Sequence, residues 1–143
     1  GREYDKLVSL PGAKTALVSY ADEVEDALAA AELLAKEGVP CDVYKLVRIF
    51  PFGEELVQEL SAYSIVLMAE ECAACGGIGE HLARALQDAG WCGRYIHRAV
   101  RELSLPHATV PQIKQVTGLD AEHLAQAVRE AVQAPEAKGE AKV

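Results

Sequence analysis

Two carboxylates, two cysteines and three glycines fall together between Glu70 and Gly79, and this is where the chain's residue types could do chemistry. Cys72 and Cys75 have the spacing of a thiol redox pair, which the amides and dipole of a following helix would favour as thiolate. Glu70 and Glu71 oppose that charge, and no thioredoxin-like sequence surrounds the pair. A structural zinc site would need His81, Cys92 or His97 to converge on these cysteines, and the second half of the chain lacks ligand spacing for it. Cys41 and Cys92 read as small, buried or partly buried side chains.

Gly76, Gly77 and Gly79 follow an apolar strand and open a helix, so they permit a tight turn with amides exposed at the helix N-terminus. Their GG-x-G spacing is neither the dinucleotide pattern nor a P-loop, and two carboxylates precede them. A packing or interface turn fits better than a phosphate cradle. Glu70 and Glu71 lie at the carboxyl end of that strand, where α/β proteins place functional groups. Neighbouring strand side chains point to opposite faces, so the two need not share a proton. One of them can instead accept amide hydrogen bonds from the following helix or face a partner domain. Arg48 follows another strand and suits an ion pair or a domain contact. Among His81, His97, His107 and His123, none sits in a motif that makes it a base. His107, between Pro106 and a capped turn, is the interface candidate of the four.

The elements that position these residues alternate. Thr15–Tyr20, Cys41–Val47, Ser64–Ala69 and Tyr95–Val100 read as strands. Between them, helices are expected over about 22–36, 54–60 and 78–89, with Asp22 and Glu25 placed for a capping box. Thr109 and Gln112 can cap a fourth helix that Gly118 closes. Asp120 can cap a last one carrying Leu124, Val128 and Val132. Tyr4–Leu10 is either an edge strand or the end of a linker. The expectation is a three-layer α/β/α sandwich with a mostly parallel or mixed five-stranded sheet. Residues 1–13 read as a leading linker or edge strand, 14–134 as the domain and 135–143 as a flexible tail.

At 143 residues, half of them apolar, the chain can bury one domain core. A net charge of −8 with no basic run argues against a nucleic-acid footprint. No apolar run approaches the roughly 20 residues that span a bilayer, so no membrane partner is expected and cytoplasmic is the default. The chain starts at Gly1 and its one Met is Met68, which suggests a processed product, a recombinant piece or an excised domain.

In order and spacing, several strings resemble the carboxy-terminal domain of transketolase-like enzymes. They are Thr15-Ala-Leu-Val-Ser-Tyr20, the Val24–Leu34 helix, Val47-Arg-Ile-Phe-Pro51, Ala69-Glu-Glu71, Gly76-Gly-Ile-Gly-Glu-His81 and Gly118-Leu-Asp120. The glycine string and Ala89–Tyr95 are most similar to the 1-deoxy-D-xylulose-5-phosphate synthase branch. Leu105-Pro-His-Ala108 and Gly53 depart from that branch's pattern.

The resemblance spans about Lys14 to Val132. It implies a parent that uses thiamine diphosphate and Mg2+, held by preceding pyrimidine-binding and pyrophosphate-binding domains in a homodimer. It implies no catalytic, cofactor-binding or metal residue in this fragment, and no cofactor bound to it. Arg48, Glu70, Glu71, Gly76, Gly77, Gly79 and His107 then become interface or turn residues. The alternatives are the matching domain of a transketolase or a ketoacid dehydrogenase β subunit, or a standalone Cys72–Cys75 redox or binding protein.

Overall fold

The computed structural model describes residues 3–47, 52–71, 77–99 and 119–134. Its elements run β1 (Tyr4–Val8), β2 (Thr15–Ser19), a 3-10 turn (Ala21–Glu23), α1 (Val24–Lys36), β3 (Cys41–Leu46), α2 (Glu54–Leu60), β4 (Ile65–Glu70), α3 (Ile78–Asp88), β5 (Arg94–Ala99) and α4 (Ala121–Gln133). The sheet order is β1-β3-β2-β4-β5. β2, β3, β4 and β5 pair in parallel, and β1 closes one edge antiparallel to β3. The sheet is therefore five-stranded and mixed, as the sequence pattern implied.

The apolar runs account for the layers. Every residue of β2 and β4 is buried, which is how parallel strands covered on both faces read. Alternate side chains go to opposite faces. Leu17, Val43 and Leu67 pack with Ala27, Ala30, Ala31 and Leu34 of α1 and Leu124, Ala125 and Val128 of α4. Ala16, Val18, Tyr44, Val66 and Met68 pack with Leu56 and Leu60 of α2 and Leu82 and Leu86 of α3. Each fully buried Leu or Met contributes about 1.5–3 kcal/mol against exposure.

Some local expectations change. The Asp22–Glu25 capping box does not form: Asp22 lies in the 3-10 turn, and α1 starts from Glu23 with no side-chain cap. That turn begins at Ala21 with φ +56°, a conformation unfavourable for a residue with a Cβ, and it buries Glu23 completely. Val132 is 47% exposed, because the buried side of α4 ends with Ala131. Cys41 is buried, but Cys92 is exposed in the turn between Trp91 and β5. The region's alternatives resolve in favour of an edge strand at Tyr4–Val8. The Thr109–Gly118 helix and the tail lie outside the described residues.

Candidate functional site

The connection after β2 runs through α1 to β3 on one side, while that after β4 runs through α3 to β5 on the other. β2 and β4 are neighbours whose following helices cover opposite faces, so their carboxyl ends form a topological switch point, where open α/β sheets leave a crevice. Tyr20 leaves one of these ends and Glu70 finishes the other.

Glu70 is fully buried, and both of its oxygens are occupied. Oε1 accepts a hydrogen bond from the Tyr20 hydroxyl at 2.8 Å. Oε2 accepts from the backbone N–H of Gly79 at 2.9 Å and is also bonded to Nε2 of His97. Behind them the Tyr95 hydroxyl donates to the Gly79 carbonyl at 2.5 Å, and the Ser19 hydroxyl donates to the Ala69 carbonyl at 2.7 Å. One carboxylate thus joins β2, β4, β5 and the first turn of α3.

Burial alone would raise the Glu70 pKa, but bonds from His97, Tyr20 and the Gly79 amide outweigh it and hold the carboxyl below its ordinary range. The same charge acts on the phenols. Burial, then the hydrogen bond and charge of Glu70, push the Tyr20 hydroxyl up. Burial, then Glu70, do likewise at Tyr95. Both phenols therefore stay protonated and donating. A carboxylate held ionised with both oxygens bonded to donors is poorly matched to general acid or base work near neutral pH.

The glycines fit this arrangement. Gly77 is the N-cap of α3 with φ +62°, a left-handed conformation that admits glycine at low cost. At Gly79 a Cβ would run into the His97 ring and lie 2.6 Å from Glu70 Oε2. The amide at this helix end faces a carboxylate from the chain itself, which would repel a second anion. A diphosphate therefore does not fit these residues. Among the described residues, no group of three or more His, Cys, Asp or Glu is arranged to hold a metal. No described helix is long and apolar enough to cross a membrane.

Of the residues singled out from sequence, Glu70, Gly77 and Gly79 come together here. Glu71 is half-buried just past β4. Arg48, Cys72, Cys75, Gly76 and His107 lie outside the described residues. Sequence reasoning missed Tyr20 and Tyr95 and gave His97 no role beyond a rejected zinc set. Their only signal was polar or aromatic side chains within or just past buried strands. His81 and His123 are exposed on α3 and α4.

Fold and site together define a three-layer α/β domain with a buried, hydrogen-bonded carboxylate at the carboxyl ends of its central strands. The family model for the transketolase C-terminal domain matches residues 6–124, and the chain belongs to that family. Among its curated relatives is a 1-deoxy-D-xylulose-5-phosphate synthase from Magnetococcus marinus, 29% identical over 83% of this chain and 20% of the relative. Another, from a Synechococcus species, is 30% identical over 90% of this chain and 20% of the relative. A solved split-gene transketolase, described as an inactive β4 tetramer, superimposes with a TM-score of 0.80 at 24% identity, over 93% of this chain and 43% of its own. The chain spans about a fifth of the length of the curated synthases it matches.

Proposed function

We propose that this chain is the carboxy-terminal domain of a 1-deoxy-D-xylulose-5-phosphate synthase and that it supplies structure and contacts rather than reacting groups. The observation that carries this reading is the family match over residues 6–124 together with curated relatives that bear the synthase name. The Glu70 cluster supports the non-catalytic part, because its carboxylate is spent on Tyr20, Gly79 and His97. Arg48, Glu71, Gly76, Gly77 and His107 serve contacts or turns towards the pyrimidine-binding and pyrophosphate-binding domains and the second subunit.

The parent is a cytoplasmic enzyme that joins pyruvate to D-glyceraldehyde 3-phosphate with loss of carbon dioxide. Thiamine diphosphate, held with Mg2+ on the other domains, supplies the carbanion stabilisation that this reaction needs.

The test is to determine the intact coding length by mass spectrometry of the endogenous protein and to assay the purified parent and this chain in parallel. The expected result is a parent with upstream thiamine-diphosphate modules that forms 1-deoxy-D-xylulose 5-phosphate, and a 143-residue chain that neither binds the cofactor nor turns over. Ketol transfer between sugar phosphates without pyruvate decarboxylation would move the parent to the transketolases. A lipoyl-acylating activity would move it to the ketoacid dehydrogenases. A natural product of this same length with a reversibly oxidised Cys72–Cys75 pair would overturn the reading.

A further inference from the structure

β1 is held differently from the strands it extends. Every residue of β2 and β4 is buried, whereas β1 has no fully buried residue and leaves Leu7 43% exposed. What fixes β1 is a backbone ladder to β3, the packing of Tyr4 and Val8 as partly buried side chains against the cores on the two faces, and a set of polar contacts. The Tyr4 hydroxyl donates to Glu59 Oε1 of α2 at 2.5 Å. Lys6 Nζ lies 3.5 Å from Asp42 Oδ2 and 5.6 Å from the centre of the Tyr44 ring. The Leu10 amide donates to Asp42 Oδ1 at 2.7 Å, and the Val47 amide donates to the Glu3 carbonyl at 2.9 Å.

The partners beneath β1 are already joined to one another without it. Tyr44 is fully buried; its hydroxyl lies 3.0 Å from that of Tyr63 and donates to Glu59 Oε2 at 3.1 Å. Tyr63 in turn donates to Asp42 Oδ2 at 2.5 Å. Asp42 and Glu59 therefore keep phenolic donors when Tyr4 and Lys6 leave. Tyr4 and Lys6 are two residues apart and so read this surface from one face of the strand, which is how an added strand docks on a sheet edge. The ladder also shifts register between Lys6 and Val8. After β1 comes a turn at Pro11-Gly12, with Gly12 at φ +77° and the Ala13 amide bonded to the Leu10 carbonyl.

We propose that β1 is a strap. It undocks as a unit about the Pro11-Gly12 turn while the parallel strands stay folded, and it recloses on the edge of β3 as that edge's own occupant. β5 also lacks a fully buried residue, but His97 bonds it to the buried Glu70 and Tyr95 bonds it to the Gly79 carbonyl, so it does not share this freedom.

Residue-resolved amide exchange on the full 143-residue chain tests this. The ladder amides of β1 should exchange at least about 100-fold faster than those of β2 and β4, through an opening that denaturant barely promotes. Tyr4→Phe and Lys6→Ala should each speed β1 exchange by about tenfold and leave β2 and β4 unchanged. If β1 amides exchange only with global unfolding, at the rate of β2 and β4, the strap is wrong. If both variants accelerate all strands equally, β1 is part of one cooperative unit and the strap is equally wrong.

Discussion

A single methyl group at position 79 would meet the His97 ring and sit 2.6 Å from a carboxylate oxygen of Glu70. The backbone and the Glu70 and His97 side chains would have to move, so Gly79→Ala should cost about 2 kcal/mol in chemical denaturation. In a His97→Ala background the cost should fall by about 1 kcal/mol, because part of the collision is gone. A cycle with no coupling would mean that the two positions do not touch. Glu70 makes a second prediction. Its folded pKa lies below the ordinary 4.5, so the stability it contributes is present above that pH and is lost as pH falls through the lowered folded value. Glu70→Gln should cost about 1–3 kcal/mol at pH 7 and flatten the decline as pH falls below the ordinary carboxylate value of 4.5. Equal acid slopes for the two proteins would rule the assignment out. The bond from Glu70 to the helix amide could be read from the chain, since a strand-end carboxylate and a glycine turn lie nine positions apart. Tyr20 and His97 could not be, because they are 50 and 27 positions from Glu70, and only strand order brings them to it.

Strands were legible to the extent that both of their faces are buried. The runs Thr15–Ser19 and Ile65–Glu70 have apolar cover on both faces, so their identity did not depend on register. Tyr4–Val8 was ambiguous because an edge strand buries too little to show clean alternation. Start signals gave mixed results. Asp22 lost its capping role because a tight turn carries the chain from β2 into α1. Asp120 does cap α4: its Oδ1 accepts the His123 amide at 3.1 Å. Asp120→Ala should therefore cost about 1 kcal/mol, and Asp120→Asn or Asp120→Ser much less. Thermal melts of the three variants give the order, and an Asn variant as weak as Ala would remove the cap from the account. The Arg129 clamp on Glu37, at 2.8 and 2.7 Å, looks firmer but is exposed. Arg129→Ala should change the melt little, and any change should fade with added salt.

At the scale of the whole molecule, one sheet serves two clusters of buried side chains, one on each face, among the described residues. Leu17 belongs to the α1 and α4 side, and Met68, on the adjacent strand, belongs to the α2 and α3 side. Each is fully buried, so Leu17→Ala and Met68→Ala should each cost about 3 kcal/mol and lower the melting temperature by about 10 °C. Trp91 reports on one side only: it packs with the α2 and α3 core, and its indole N–H donates to the Tyr63 carbonyl at 2.8 Å. Far-UV circular dichroism reports on all helices. If the shared strands make the two cores cooperative, Leu17→Ala will shift the Trp91 fluorescence midpoint as far as the dichroism midpoint, although the lost methyls lie across the sheet. If the Trp91 midpoint stays at the wild-type value while dichroism moves, the layers melt separately, and the four parallel strands would not act as the rigid body on which the Glu70 cluster depends.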